Sequence, residues 1–287
     1  LVISDHGFGP ITQTFHITNW LREEGYLQLK NNFSSRIKQF FFDLGFTEHN
    51  LQGVGKSIYP ALRKLGLIQD IFIEVNNLEA LNRLFVSDRD VDWNNTVAYS
   101  RSDIGNVRIN LRGREKHGTV SKNNYFDVRH EIIEKLRSLK NPNTGELLAD
   151  WVEPKDELYH GCFFDDAPDI LFNTLRQETL SFGASMFRSN KVFGPSDRSG
   201  HHRRNGILLA SGPGIRKGES IAASLLDLAP TILNLFRYPI PDDMDGEVIS
   251  PISSQRPSYS HKEEQKESVS EEDDKRVKDR LQQLGYL

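Results

Sequence analysis

Apolar residues occur in short runs along this chain, and the way each run is spaced separates strands from helices. Leu1-Val2-Ile3 and Ile207-Leu208-Leu209-Ala210 are unbroken apolar stretches that stop abruptly at Ser4-Asp5-His6-Gly7 and at Ser211-Gly212-Pro213-Gly214. Continuous apolar character predicts strands buried on both faces, as in a parallel sheet. Residues 96–111 alternate instead, with Val107, Ile109 and Leu111 set against Arg108 and Asn110, which predicts a strand with one buried and one wet face. Pro168 to Phe172 reads as a further strand returning to the core sheet.

Helical spacing appears elsewhere. Thr18 to Glu24 predicts a short helix closed by Gly25 in the left-handed conformation. Ile37, Phe40, Phe41 and Leu44, then Ile58, Leu62 and Leu65, predict an inserted, mostly helical cap whose aromatics form its core. Val128 to Leu139 places Ile132, Ile133, Leu136 and Leu139 on one face, and Asn141-Pro142-Asn143-Thr144-Gly145 is a turn. Asp227 to Phe236 predicts a helix with Pro230 in its first turn, where a missing N–H costs little. Residues 253–274 hold almost no apolar side chains and read as a linker, whereas Val277, Leu281 and Leu284 restore helical spacing.

Composition narrows the picture. The chain has 287 residues, 37% of them hydrophobic, and a formal net charge of -4, so nothing points to a nucleic-acid partner. Its one cysteine, Cys162, excludes an internal disulfide framework and is expected as a buried thiol. No apolar run reaches bilayer-spanning length and no secretory leader is visible, so a cytoplasmic location is expected. A start within a strand, without an initiator Met, reads as a fragment.

Chemistry concentrates at the strand ends. Ligands of open α/β sheets sit beyond the carboxyl ends of strands, and adjacent Asp5 and His6 placed there are candidates to converge on one metal ion. Taken alone, the plainer reading is a polar turn with a surface histidine. Gly200-His201-His202-Arg203-Arg204-Asn205-Gly206, running into the second apolar stretch, repeats the theme. Arg112 and Arg114, in a basic Gly-flanked loop, are candidates for binding an anionic substrate, because guanidinium groups match phosphate oxygens bidentately; a solvated loop paired to surplus acids is the other reading. Asp165-Asp166 reads as a polar turn.

These two loops occur with Asn19-Trp20-Leu21-Arg22-Glu23-Glu24-Gly25, Ala98-Tyr99, Ile109-Asn110, Gly113-Arg114, Pro168-Asp169-Ile170, Asp227-Leu228-Ala229-Pro230-Thr231-Ile232-Leu233, Pro241-Asp242-Asp243-Met244-Asp245-Gly246 and Leu284-Gly285-Tyr286-Leu287. In that order they resemble the C-terminal part of the alkaline phosphatase superfamily, in its type I phosphodiesterase/nucleotide pyrophosphatase and predicted phosphohydrolase or phosphomutase branches. Arg237 stands where the family usually has Gly.

The resemblance implies an α/β fold: an alkaline phosphatase-like core with a mostly parallel sheet between helices, a helical insert and a small α+β subdomain. The expected segments are core at 1–30, helical cap at 31–95, α+β subdomain at 96–160, core return at 161–252, and linker with terminal helix at 253–287. The implied activity is hydrolysis of a phosphomonoester or phosphodiester, nucleotides included, with a small phosphorylated molecule as partner. Two divalent ions are implied, Zn2+ first and Mn2+ second, because mixed Asp/His ligation suits them. Asp5 and His6 would hold the ion that activates the nucleophile and His202 the other. The register from Gly200 and Gly206 favours His202 over His201, which becomes a substrate-facing or outer residue. The family's Thr or Ser nucleophile and its remaining ligands lie upstream of the Ser-Asp-His-Gly loop, so this chain by itself is expected to be inactive. A phosphomutase, a sulfatase and a non-catalytic binding relative are the rival readings.

Overall fold

The computed structural model describes residues 1–47, 85–101, 105–175, 178–182, 187–196, 198–253 and 255–260. It forms two compact units, one of Leu1–Gly7 with Arg204–Leu287 and one of Phe8–Arg203.

The Phe8–Arg203 unit is built on two sheets. In the first, β3 (Gln13–His16) lies between β8 (Thr179–Phe182), to which it is parallel, and β9 (Phe193–Pro195), to which it is antiparallel. In the second, β4 (Ala98–Tyr99), β5 (Asn106–Ile109), β7 (Ile170–Thr174) and β6 (Ala149–Pro154) lie side by side in that order, all antiparallel. A further pair joins β2 (Gly7–Pro10) to β10 (Gly200–Arg203). Phe15 of β3 and Phe172 of β7 meet edge to face at 6.2 Å, which joins the cores of the two larger sheets. Helix α3 (Tyr125–Ser138) packs on β6 and buries Ile132, Ile133 and Leu136, with Leu139 packed against the same core. Each such side chain contributes about 1.5–3 kcal/mol by leaving water.

Helix α1 (Ile17–Glu23) ends as its sequence predicts. Gly25 has φ of +81°, its N–H donates to Arg22 and that of Tyr26 donates to Leu21, which together satisfy the last carbonyls of the helix. Asn19, in the first turns, donates to the carbonyls of Ser189 and Lys191 at 2.6 and 2.8 Å, tying α1 to a distant loop.

Several expectations change. Helix α2 (Phe33–Asp43) forms, but Ile37, Phe40, Phe41 and Leu44 are exposed, Phe40 by 62%, while Phe42 is 1% exposed. The inward stripe is Ser35 and Phe42, both buried, with Lys38 half-buried between them. Ser35 and Lys38 bond to the buried carboxylate of Asp90, and Phe42 packs against Phe187 under the Arg22 guanidinium. Polar anchoring, rather than the widest apolar face, orients this helix. The Ile58, Leu62 and Leu65 spacing and the terminal helix at 275–284 lie outside the described residues.

Asn110, expected on a wet face, is buried and donates to the carbonyls of Trp93, Thr96 and His117. Cys162 is exposed, in a turn that follows Gly161 with φ of +99°. The strand at 170–174 joins the antiparallel sheet instead of a parallel core. Among the described residues the sheets hold two to four strands; β3 with β8 and β12 (Ile240–Pro241) with β13 (Tyr259–Ser260) run parallel. The chain thus mixes helices with small, mainly antiparallel sheets, and the β6–β7 register shifts between Ala149 and Trp151.

The second unit holds β1 (Val2–Ile3), antiparallel to β11 (Leu208–Leu209), and α4 (Leu228–Leu235). Both strands were expected to be buried, yet Val2 is 58% and Leu209 62% exposed. The ribbon has two strands, so among the described residues no neighbouring strand flanks either one. Helix α4 is followed by Arg237, whose φ of +61° lies in the left-handed region that usually favours Gly. The N–H groups of Arg237 and Tyr238 donate to Asn234 and Leu233, so the helix end is complete despite the Cβ. No helix among the described residues is long and apolar enough to cross a membrane.

Candidate metal centre

Asp5 and His6 follow the β1–β11 ribbon. Past β1, the Ser4 N–H donates to the Ile207 carbonyl at 3.0 Å and the Ile207 N–H donates to Ser4 Oγ at 2.9 Å. This closes the two strands where the loop begins. Gly206 makes the approach feasible, because a Cβ there would stand 2.7 Å from Ser4 Oγ and 2.9 Å from its carbonyl oxygen. The serine of the Ser-Asp-His-Gly run therefore anchors the loop, a role the sequence reading did not assign.

Beyond that anchor, the His6 N–H donates to Asp5 Oδ1 at 3.0 Å, which turns the carboxylate back toward the imidazole. His6 Nδ1 lies 2.8 Å from the Gly7 carbonyl, an acceptor only, so Nδ1 donates there, and in the neutral ring the lone pair falls on Nε2. Metal-binding histidines are commonly oriented this way, with the other ring nitrogen donating to a carbonyl. Nε2 is 3.5 Å from Asp5 Oδ2. A tetrahedral zinc bound at about 2.1 Å by an imidazole nitrogen and a carboxylate oxygen sets those two atoms about 3.4 Å apart. Asp5 and His6 thus fit two positions around one ion, and both are accessible to it.

His202 belongs to the other unit, on β10. There two glycines make room for large neighbours. A Cβ on Gly200 would stand 2.6 Å from Phe8 Cε1, and one on Gly9 would stand 2.5 Å from Arg203 Nε. Arg203 donates to the Pro10 carbonyl, fastening β10 to the end of β2. His202 is exposed; its ring is 6.3 Å from Phe8, edge to face, and 4.7 Å from that of His201. Among the described residues, no group of three or more His, Cys, Asp or Glu side chains converges.

The two candidate arginines part company. Arg112 is exposed on its turn. Arg114 is engaged internally: its two terminal nitrogens reach the two oxygens of Asp169 at 2.7 and 2.6 Å, one of them also donates to the Ile109 carbonyl, and Nε donates to Glu115. Asp169 further accepts from the Ile109 N–H and the Tyr125 hydroxyl, each at 2.7 Å. Burial works to raise the Asp169 pKa, but these four donors outweigh it and hold the carboxyl below its usual range. The same bonds to Asp169 raise the Arg114 pKa, and Tyr125 is raised first by burial and then by Asp169. Arg114 thus clamps Asp169 within the antiparallel sheet, the pairing with an acid that was the other expectation for this loop.

Comparison with protein-family models, with curated proteins and with solved structures finds no match for this chain.

Proposed function

We propose that the chain is part of a metal-dependent phosphohydrolase of the alkaline phosphatase type, acting on a phosphomonoester or phosphodiester. The reading takes an alkaline phosphatase-like core with a mostly parallel sheet, and a cytoplasmic location. One observation supports it: His6 Nδ1 donates to the Gly7 carbonyl, and Nε2, the ligand nitrogen of the neutral ring, stands 3.5 Å from Asp5 Oδ2, the spacing a tetrahedral ion needs. Two bound cations would supply charge neutralisation for the attacking and leaving oxygens of phosphoryl transfer. Asp5 and His6 hold one cation, with Ser4 and Gly206 keeping their loop in place, and His202 binds the other. His201 and the exposed Arg112 meet anionic oxygens of the substrate. The nucleophile, a Thr or Ser, lies outside these 287 residues.

The test uses the full-length protein with Zn2+ or Mn2+ and two probes, p-nitrophenyl phosphate and bis(p-nitrophenyl) phosphate. Turnover of at least one is expected, with loss in excess chelator. Asp5→Asn and His6→Ala are expected to lose bound metal, and His202→Ala to lose more metal than His201→Ala, since outer partners change affinity only about 10- to 100-fold. Undiminished turnover by protein shown to be metal-free overturns the proposal. Loss of metal in His201→Ala with retention in His202→Ala exchanges those two roles.

A further inference from the structure

We infer that Phe8 is a stacking platform that selects phosphoesters carrying a planar aromatic group; the inference rests on the phosphohydrolase reading above. Phe8 follows His6 by two residues and is 71% exposed. Exposure alone does not single it out, since Phe33 and Phe163 are exposed as fully. What sets Phe8 apart is its bed. Its ring lies against Gly200, where a Cβ would stand 2.6 Å from Cε1 and 3.3 Å from Cζ, so any other residue at that position would push the ring away. The neighbouring His202 ring meets it edge to face at 6.3 Å. Glycine beneath and imidazole beside hold the ring in place on the strand pair that carries the candidate ligand.

An aromatic ring held in this way, yet largely open to water, offers its face to a second ring. Offset or edge-on ring pairs gain free energy beyond the area they bury, because the negative face of one meets the positive edge of the other. A saturated ring of similar size gains only the burial. Phe8 therefore discriminates by planarity and not by size, while the phosphoryl group is held by the residues assigned to it above.

The experiment compares benzyl phosphate with cyclohexylmethyl phosphate, two esters of primary alcohols that differ in the aromaticity of the ring. Phosphate release by the metal-loaded full-length protein is measured for wild type, Phe8→Ala and Phe8→Trp. Wild type is expected to favour the benzyl ester in kcat/KM. In Phe8→Ala that preference is expected to fall by about two- to tenfold, the rate equivalent of the ring–ring contribution. Phe8→Trp is expected to restore it, which a merely structural role for Phe8 would not do. Because Phe8 is exposed, its truncation opens no cavity. If wild type turns over both esters and the ratio is the same in all three proteins, or falls equally in the Ala and Trp variants, the platform is overturned while the phosphohydrolase reading stands. If wild type turns over a p-nitrophenyl probe but neither of these esters, the platform is overturned while the phosphohydrolase reading stands; if p-nitrophenol is released from neither probe and phosphate from neither ester, that reading fails and this one with it.

Discussion

Replacing Asp169 by Ala is expected to destabilise the Phe8–Arg203 unit by about 4 kcal/mol. The carboxylate is fully buried and satisfies Arg114 twice, the Ile109 N–H and the Tyr125 hydroxyl. Breaking a buried ion pair by removing one partner costs about 3–5 kcal/mol, because the other charge is left without compensation. The Arg114 side chain keeps 22% of its surface in water, which argues for the lower end. The orphaned Ile109 N–H and Tyr125 hydroxyl then add roughly 1 kcal/mol. Trp20, Trp93 and Trp151 all lie in this unit, so tryptophan fluorescence in urea follows its unfolding selectively. With a slope of about 2 kcal/mol per molar urea, the midpoint should fall by about 2 M.

Arg114→Met should also destabilise, and the Asp169→Ala/Arg114→Met pair should cost clearly less than the sum, since the stranded guanidinium is gone. The pH dependence follows from the depressed carboxyl pKa. A folded pKa below the unfolded value of about 3.9 contributes stability that is complete above that value and is lost as pH falls through the folded pKa. The variant should therefore lose less stability on acidification than wild type. A midpoint shift under 0.5 M urea, roughly a quarter of the value above, or strictly additive single and double variants, would refute the clamp. So would an Arg114→Met protein of unchanged stability whose KM for a phosphoester rises.

Two backbone substitutions should act in opposite directions. Gly25→Ala meets open space at Cβ, so its expected cost of about 1 kcal/mol is that of a left-handed residue alone, read from the same fluorescence transition. Arg237→Gly relieves the same conformation and should slow hydrogen exchange at the C-terminal amides of α4, with a net gain of about 0.5 kcal/mol after the added freedom of the unfolded chain; faster exchange would contradict it. Gly206→Val should separate Ser4 from Ile207 and weaken zinc binding in the full-length protein, measured by calorimetric titration, whereas Gly214→Ala, where a Cβ meets nothing, should leave zinc affinity as it is.

Local spacing carried much of the secondary structure. The Gly25 helix end, the stripe of Ile132, Ile133 and Leu136 and the Asn141–Gly145 turn are set by neighbours within a few residues, and the structure keeps all three. Asp5 and His6 were legible as candidates for the same reason: adjacent residue types carry the chemistry, and the loop needs only a strand before it. Whatever depends on a partner far along the chain was not legible. Which face of α2 is buried was decided by Asp90, more than fifty residues from Ser35. Arg114 read equally as an anion ligand or as a residue paired to an acid, and which acid, Asp169, lies fifty-five residues on. Ser4 and Gly206 acquired their roles only when β1 and β11 came together across some two hundred residues. A hydrophobic period records how a segment is shaped, but a buried charge or a glycine contact is settled by the group that happens to lie opposite, and only the folded chain brings that group into place.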